Sequence, residues 1–326
     1  MTRRLPAEWE KQDAVLISFP HKNSDWANDL ASAKSIFLRI ANSISYKQKL
    51  ILICDDIEAT KSIFCYHDKI SFVKLETDDT WIRDYGPISI FEDGERKLID
   101  FKFNAWGGKF ASELDNAVTK KLHDKCYFSL SELIKEDFIL EGGSIDSDGQ
   151  GTILTTSKCL LNPNRNPSMT KTGIEEKFKT LFGTKRVLWL DYGELEGDDT
   201  DAHIDTLARF VDSKTIVYVE GFPQMLEQLK SFKTYDGKNY HLIPLPLPSS
   251  KYKNFQKLPA TYANFLIINH AVLLPIYDDK KDEEMIKLFK SLFPTREIIP
   301  INSLRLIEEG GSIHCSTMNI VSRETL

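Results

Sequence analysis

The chain has 326 residues, 41% of them hydrophobic and 28% charged, with a net charge of −6. That apolar content is enough for a large α/β core, while the acidic balance argues against a nucleic-acid partner, which calls for a basic face. No segment approaches the roughly 18 uninterrupted apolar residues of a membrane span, and no apolar leader core follows Met1-Thr2-Arg3-Arg4, so a cytoplasmic, non-membrane protein is expected. The cysteines (Cys54, Cys65, Cys126, Cys159 and Cys315) are odd in number and hold no C-x-x-C pair, which argues against a disulfide scaffold.

Taken in order, residues 14–19 read as a buried strand. Leu30, Ala33, Ile36, Phe37, Ile40 and Ile44 then recur at helical spacing, which predicts a helix over about 27–46. Residues 50–54 and 70–75 read as strands, with a helix start near residue 57 after Asp55-Asp56. Hairpins are expected at 87–91 with 97–103, 151–155 with 158–161, 206–211 with 215–219, and 262–268 with 271–276. Helices are expected near 112–124, 171–182, 223–232 and 281–292, with single strands at 187–190, 241–245 and 297–301. The Pro- and Lys-rich run 244–259 reads as a surface loop.

The hairpins recur about every 55–65 residues, a period that suggests a propeller or an array. A fifth unit is completed if a strand at 316–322 pairs with the strand at 14–19, which closes the ring and leaves no edge. The expected fold is therefore an α/β five-bladed propeller of pseudo-fivefold ββαβ repeats, with the N- and C-terminal strands closing one blade and one domain over 1–326. A doubly wound parallel sheet is disfavoured, because the hairpins are antiparallel and no Gly-rich phosphate loop follows the first strand.

The chemistry concentrates in a few turns. Glu308-Glu309-Gly310-Gly311-Ser312-Ile313-His314-Cys315 repeats the pattern of Glu141-Gly142-Gly143-Ser144-Ile145, with His314 and Cys315 where the earlier copy has Asp146 and Ser147. The Gly310-Gly311 pair lets the backbone turn sharply or approach a ligand closely. Between the copies, Asp198-Asp199-Thr200-Asp201-Ala202-His203-Ile204-Asp205 sets a histidine among carboxylates. Cys315 reads as a nucleophile and His203 as its proton carrier.

Carboxylates suit a guanidinium, whose planar fork they match bidentately. In a strand His203 and Asp205 share a face, so one can shuttle a proton while the other anchors the substrate. Glu141 is placed to orient the imidazole. Asp84, Glu141, His203, Asp205 and Cys315 each precede a hairpin, and in a propeller such positions converge on the axis. Cys54 and Cys159 read as packing residues of apolar strands. His314 is expected to face the far side of its strand. Asp198, Asp199 and Asp201 read either as a solvated acidic turn or as a contact for a distal amine. Metal binding by Asp-x-His-x-Asp is disfavoured, since no second histidine lies at ligand spacing.

These residues form a series that resembles agmatine deiminase: W-x-R-D-x-G-P (Trp81–Pro87), F-N-x-W-G-G-K (Phe103–Lys109), E-G-G-S (Glu141–Ser144), N-x-N-R-N-P (Asn162–Pro167), D-x-H-x-D (Asp201–Asp205) and G-G-S-x-H-C (Gly310–Cys315). The wider group includes bacterial peptidylarginine deiminase and lies in the guanidine-modifying, or pentein, superfamily. The resemblance implies the five-unit propeller, Cys315 as nucleophile, His203 as general acid/base, Asp84 and Asp205 as guanidinium ligands, and Glu141 as partner of His203. It also implies that Trp81 lines the path of the aliphatic chain. Trp106, Asp198 and Gly311 join the expected substrate contacts.

No metal or organic cofactor is implied. The expected partner is a small cationic guanidine, agmatine, hydrolysed through an amidino-cysteine intermediate. Family members often self-associate, so a homo-oligomer is an open expectation, although no stretch of this chain identifies an interface. The alternatives are deimination of arginine or peptidyl-arginine, amidino transfer, and a non-catalytic binding protein of the same superfamily. The chain departs from the family pattern at Ile17-Ser18-Phe19-Pro20, Asp201-Ala202 and Ser316-Thr317-Met318-Asn319, and the guanidinium-processing residues are untouched.

Overall fold

The computed structural model describes residues 2–66, 68–128 and 131–323; the remaining residues of the expected 1–326 domain lie outside the described residues. Five sheets share one plan. An antiparallel pair is followed by a strand that returns parallel to the pair's second member, and a parallel neighbour needs a crossover, here helical. Leu266–Ile268 pairs antiparallel with Ala271–Ile276, which pairs parallel with Glu297–Asn302 across the helix Asp282–Leu292. Ala208–Asp212, Thr215–Val219 and His241–Leu245 repeat this around Pro223–Ser231.

Ile145–Ser147, Thr152–Thr156 and Arg186–Leu190 form the next unit, around Lys171–Phe182. Ile88–Glu92, Glu95–Lys102 and Glu132–Ile139 form another, around Val118–Asp124, with Arg3–Arg4 added at its edge. In the fifth, Met318–Val321 pairs antiparallel with Gln12–Ser18, which is followed in parallel by Lys49–Cys54 and Ile70–Lys74. The expected pairing of the two ends of the chain is thus present.

The helix Leu30–Lys47 buries Ala33, Ile36, Phe37, Ile40, Ala41 and Ile44, the stripe its spacing predicts. Asp56 accepts a hydrogen bond from Ala59 N and starts the helix Ile57–Lys61. Among the described residues no helix is long and apolar enough to cross a membrane.

Three expectations need correction. The hairpin partner of Thr152–Thr156 is Ile145–Ser147 and not 158–161. Thr156 Oγ1 accepts from Cys159 N, an N-cap that turns Ser157–Leu160 into a short helix. Glu132–Ile139 was not anticipated as a strand. It is a half-exposed edge strand whose Glu132, Lys135, Glu136 and Asp137 interrupt any apolar alternation. The run 244–259 contains a two-residue hairpin, Tyr252–Lys253 with Gln256–Lys257.

Candidate active site

Each unit's first strand is entered through a loop, and these loops hold the site. Asp84 lies in the short helix Ile82–Tyr85 ahead of Ile88–Glu92, and Glu141 lies just ahead of Ile145–Ser147. His203 caps the 3-10 turn Ile204–Thr206 ahead of Ala208–Asp212, and Cys315 precedes Met318–Val321. The remaining unit contributes Asn264, ahead of Leu266–Ile268, which the sequence reading missed.

Gly143 marks where the side chains converge. A Cβ there would lie 2.7 Å from His203 Nδ1, 2.9 Å from Asp84 Oδ1 and 3.1 Å from Asp205 Oδ2. Any side chain would occupy the space between them. At Gly311 a Cβ would meet the Trp81 ring at 2.3 Å, so this glycine lets the indole lie against the backbone. Gly310, at φ +88°, makes the turn that a β-carbon resists.

The Cys315 thiol is buried, 3.6 Å from Asp205 Oδ2, and accepts from Asn264 Nδ2 at 3.2 Å. Asn264 Oδ1 accepts from the backbone N–H groups of His314 and Cys315, so one amide fixes both the loop and the sulfur. Burial, then the charges of Asp205 and Asp84, push the thiol well above its ordinary range. The resting group is therefore S–H.

Asp84 accepts from Gly143 N (Oδ1, 2.9 Å) and Trp106 Nε1 (Oδ2, 2.9 Å), and burial raises its pKa to about 6. Trp106 and its neighbour Ala105 hold φ of 54° and 49°, a left-handed pair that costs strain and is kept where it aims the indole at Asp84.

His203 Nδ1 is 3.7 Å from Asp84 Oδ1 and its Nε2 is 3.9 Å from Glu141 Oε2, so neither nitrogen is within hydrogen-bond reach of a described partner. Burial opposes its charge, yet Asp84 leads the groups that favour it, and the imidazole is held well above its ordinary range. Glu141 is fully buried, with Arg165 Nε at 2.8 and 2.9 Å from its two oxygens. Burial works against ionisation there too, but His203 and Arg165 prevail and the carboxylate stays ionised.

His314 is not turned away. The segment 312–317 is a turn rather than a strand, so the period-two expectation fails for it. Its Nδ1 lies 2.7 Å from Asp205 Oδ2 and its Nε2 2.7 Å from Glu8 Oε2, hydrogen-bond distance on both sides of the ring. The same correction applies to His203 and Asp205, which meet through a 3-10 turn rather than along a strand. Clamped on Oδ2, Asp205 keeps Oδ1 buried and without a described partner. Burial would raise Asp205, but the hydrogen bond and charge of His314 dominate and hold it below the usual carboxylate range. Cys159 also departs from expectation: it lies in the short helix Ser157–Leu160, and its sulfur approaches Glu141 Oε2 at 3.9 Å.

The pocket above Cys315 is lined by Trp81 and Trp106 and by the acidic residues Asp25, Asp79, Asp199 and Glu309. Asp198 and Gly311 also line it. The Asp198 carboxylate, however, is turned into its own loop, accepting from Thr200 Oγ1 at 2.6 Å and Ala202 N at 2.8 Å. Asp201 is drawn off to Arg165 and Lys109.

Deimination of arginine needs a cation to receive the substrate carboxylate, and Arg83, Arg165 and Arg209 are all engaged elsewhere. Arg165 lies on Glu141 and Asp201, Arg209 on Glu8 and Phe265 O, and Arg83 on Asn319 and His314 O. No lysine or arginine is among the pocket's described lining residues.

Proteins named agmatine deiminase are similar to this chain over nearly its whole length. Agmatine deiminase of Medicago truncatula is 31% identical over 96% of this chain and 95% of its own length. A substrate-bound cysteine-to-serine variant of C. jejuni agmatine deiminase is 41% identical, with 98% of this chain and 97% of that one covered and a TM-score of 0.92. Agmatine deiminase of Enterococcus faecalis is 27% identical, with 99% and 96% covered and a TM-score of 0.90. A dimethylarginine dimethylaminohydrolase, 11% identical with a TM-score of 0.56, shares the mixed α/β fold. The family model described as Porphyromonas-type peptidyl-arginine deiminase matches residues 4–320. That match spans every loop of the site, from Asp84 to Cys315, and the chain belongs to this family.

Proposed function

We propose that the chain hydrolyses agmatine to N-carbamoylputrescine and ammonia, as a single domain whose five sheet units form a closed five-bladed propeller. The observation that carries the substrate is a pocket whose described lining residues include Asp25, Asp79, Asp198 and Asp199 and no lysine or arginine; Glu309, also in the lining, is paired with Arg305 and Lys253. An ammonium is stabilised there, whereas the carboxylate of arginine or of a peptide end meets like charge. The agmatine relatives and the substrate-bound C. jejuni structure support the same reading.

The guanidinium lies between Asp84 and Asp205, with Trp81 and Trp106 along the aliphatic chain. Its charge offsets the field that holds the Cys315 proton, and that proton passes to solvent water as the cation enters. The thiolate attacks the guanidinium carbon. His203, already protonated, gives its proton to the departing nitrogen, ammonia leaves, and an amidino-thioether remains. Neutral His203 then takes a proton from water, whose oxygen adds to the same carbon. Collapse expels the Cys315 thiolate and releases the ureido product. Glu141 sustains the imidazolium charge. The scheme calls on no metal or organic cofactor.

A haloacetamidine tests the site, since it needs both the carboxylate clamp and the thiol. Intact-mass and peptide mapping should place one label on Cys315, with agmatine blocking it. Labelling confined to the exposed Cys65 or Cys126 would refute the site.

For the distal amine, Asp199 is the pocket carboxylate to test. It is exposed beside Asp198, and an incoming cation relieves the repulsion between the two carboxylates. Asp199→Asn should raise KM for agmatine about tenfold or more with kcat little changed, the signature of a lost charge-assisted contact. An unchanged KM would assign the amine to another carboxylate.

A further inference from the structure

Cys159 takes no part in the reaction just derived, yet it lies against two residues that do. Its sulfur, Glu141 Oε2 and His203 Nε2 lie within 4.8 Å of one another, with sulfur to oxygen and oxygen to nitrogen both 3.9 Å. We propose that Glu141, Cys159 and His203 form a binding site for a thiophilic divalent cation such as Zn²⁺, whose occupancy shuts the enzyme off by withdrawing the proton carrier and its partner.

The geometry is near what the ion needs. Bond lengths of about 2.3 Å to sulfur and 2.0–2.1 Å to nitrogen or oxygen, at tetrahedral angles, put ligand atoms roughly 3.3–3.6 Å apart. The sulfur–oxygen separation has to close by about 0.3 Å and the oxygen–nitrogen separation by about 0.6 Å, with sulfur and nitrogen drawn together from within 4.8 Å. The donor set is soft sulfur, imidazole and carboxylate, the combination zinc prefers over magnesium or calcium. Both His203 nitrogens are buried and without a described hydrogen-bond partner, so coordination through Nε2 displaces no existing bond. On the other side of the ring, Asp84 Oδ1 lies 3.7 Å from Nδ1, placed to hold the remaining N–H there once Nε2 of the resting imidazolium has lost its proton to ligate.

Binding expels two protons, one from the Cys159 thiol and one from Nε2 of the resting His203 imidazolium, so affinity falls as pH falls. Arg165 already shares both Glu141 oxygens, and its charge opposes the ion. The thiolate and carboxylate together neutralise a dication. The inhibitory consequence rests on the function proposed above; the binding does not.

The test uses the full chain carrying Cys65→Ser, Cys126→Ser and Cys315→Ala, with Cd²⁺ as the probe, because cadmium–thiolate bonds absorb in the ultraviolet. One Cd²⁺ per chain with a thiolate band is expected. Adding Cys159→Ser should remove the band and weaken binding about 10–100-fold, and Glu141→Gln should weaken binding while keeping the band. No band, or a band and affinity that survive Cys159→Ser, overturns the proposal. In the catalytically intact chain, the Zn²⁺ concentration that halves ammonia release, taken relative to each variant's own uninhibited rate, should rise at least about tenfold with Cys159→Ser. Because the cadmium titration contains no substrate, it stands even if agmatine is not turned over.

Discussion

Replacing Cys315 with alanine is expected to cut ammonia release from agmatine by about 10⁴-fold or more, while agmatine still binds. The two effects separate because the sulfur and the clamp belong to different loops. Asp84 is held by Gly143 N and Trp106 Nε1, and Asp205 by His314, so neither carboxylate depends on the thiol for its position. The variant also has no thiol proton to lose when the cation enters. Binding to the variant should therefore be as tight as to the parent chain, and ligand should raise its melting temperature. Isothermal titration with agmatine checks the first half and a coupled ammonia assay the second. Substantial residual turnover would remove Cys315 from the chemistry, and loss of binding would show that the thiol itself supports the substrate.

Asp84→Asn should abolish useful turnover and make the protein more stable at neutral pH. A carboxyl whose folded pKa rises from 3.8 to about 6 is destabilising when ionised. The penalty is fully present above about pH 6 and gone below about pH 4. The rise corresponds to about 3 kcal/mol, with the favourable pull of His203 already included among its causes. An amide cannot accept from both Gly143 N and Trp106 Nε1 through two oxygens, which costs about 1 kcal/mol.

The net gain is about 2 kcal/mol, or several degrees in Tm for a chain of this size. Scanning calorimetry at pH 7.5 should show it, and at pH 4 the advantage should vanish. Turnover should fall about 10²–10⁴-fold, because the guanidinium loses a charged ligand and His203 loses its leading electrostatic support. A variant that melts lower at pH 7.5 would contradict the account. In the parent chain the same carboxyl predicts that kcat/KM for agmatine falls as pH drops through about 6.

The loops that were legible in the sequence are those where a chemical group stands beside unusual punctuation. Asp84 follows a tryptophan and precedes Gly-Pro, Glu141 and Cys315 flank Gly-Gly turns, and His203 lies in a run of aspartates. Asn264 has no such flag: Thr261-Tyr262-Ala263-Asn264 reads as ordinary strand approach. Only the repeat could have found it, by asking what occupies the same place in the unit that offered no candidate.

His314 was misjudged because a period-two face was assumed where the chain makes a turn. Its value depends on Glu8, more than 300 residues away, which no local pattern reveals. Cys159 was misplaced by the same kind of error, since the cap at Thr156 ends the strand before it. Pairing of Met318–Val321 with Gln12–Ser18 was readable because both runs are apolar and an open edge between them would be costly. Glu132–Ile139 was not, since an edge strand beside solvent carries charges that hide it.

The most direct test of the central claim is ammonia release from agmatine, free arginine and an arginine-ended peptide, measured side by side with Cys315→Ala as control. The acidic pocket above Asp84, Asp205 and Cys315 predicts kcat/KM for agmatine at least about 100-fold above the other two, and no release from the control. Preference for arginine or the peptide, or release that survives Cys315→Ala, would contradict it.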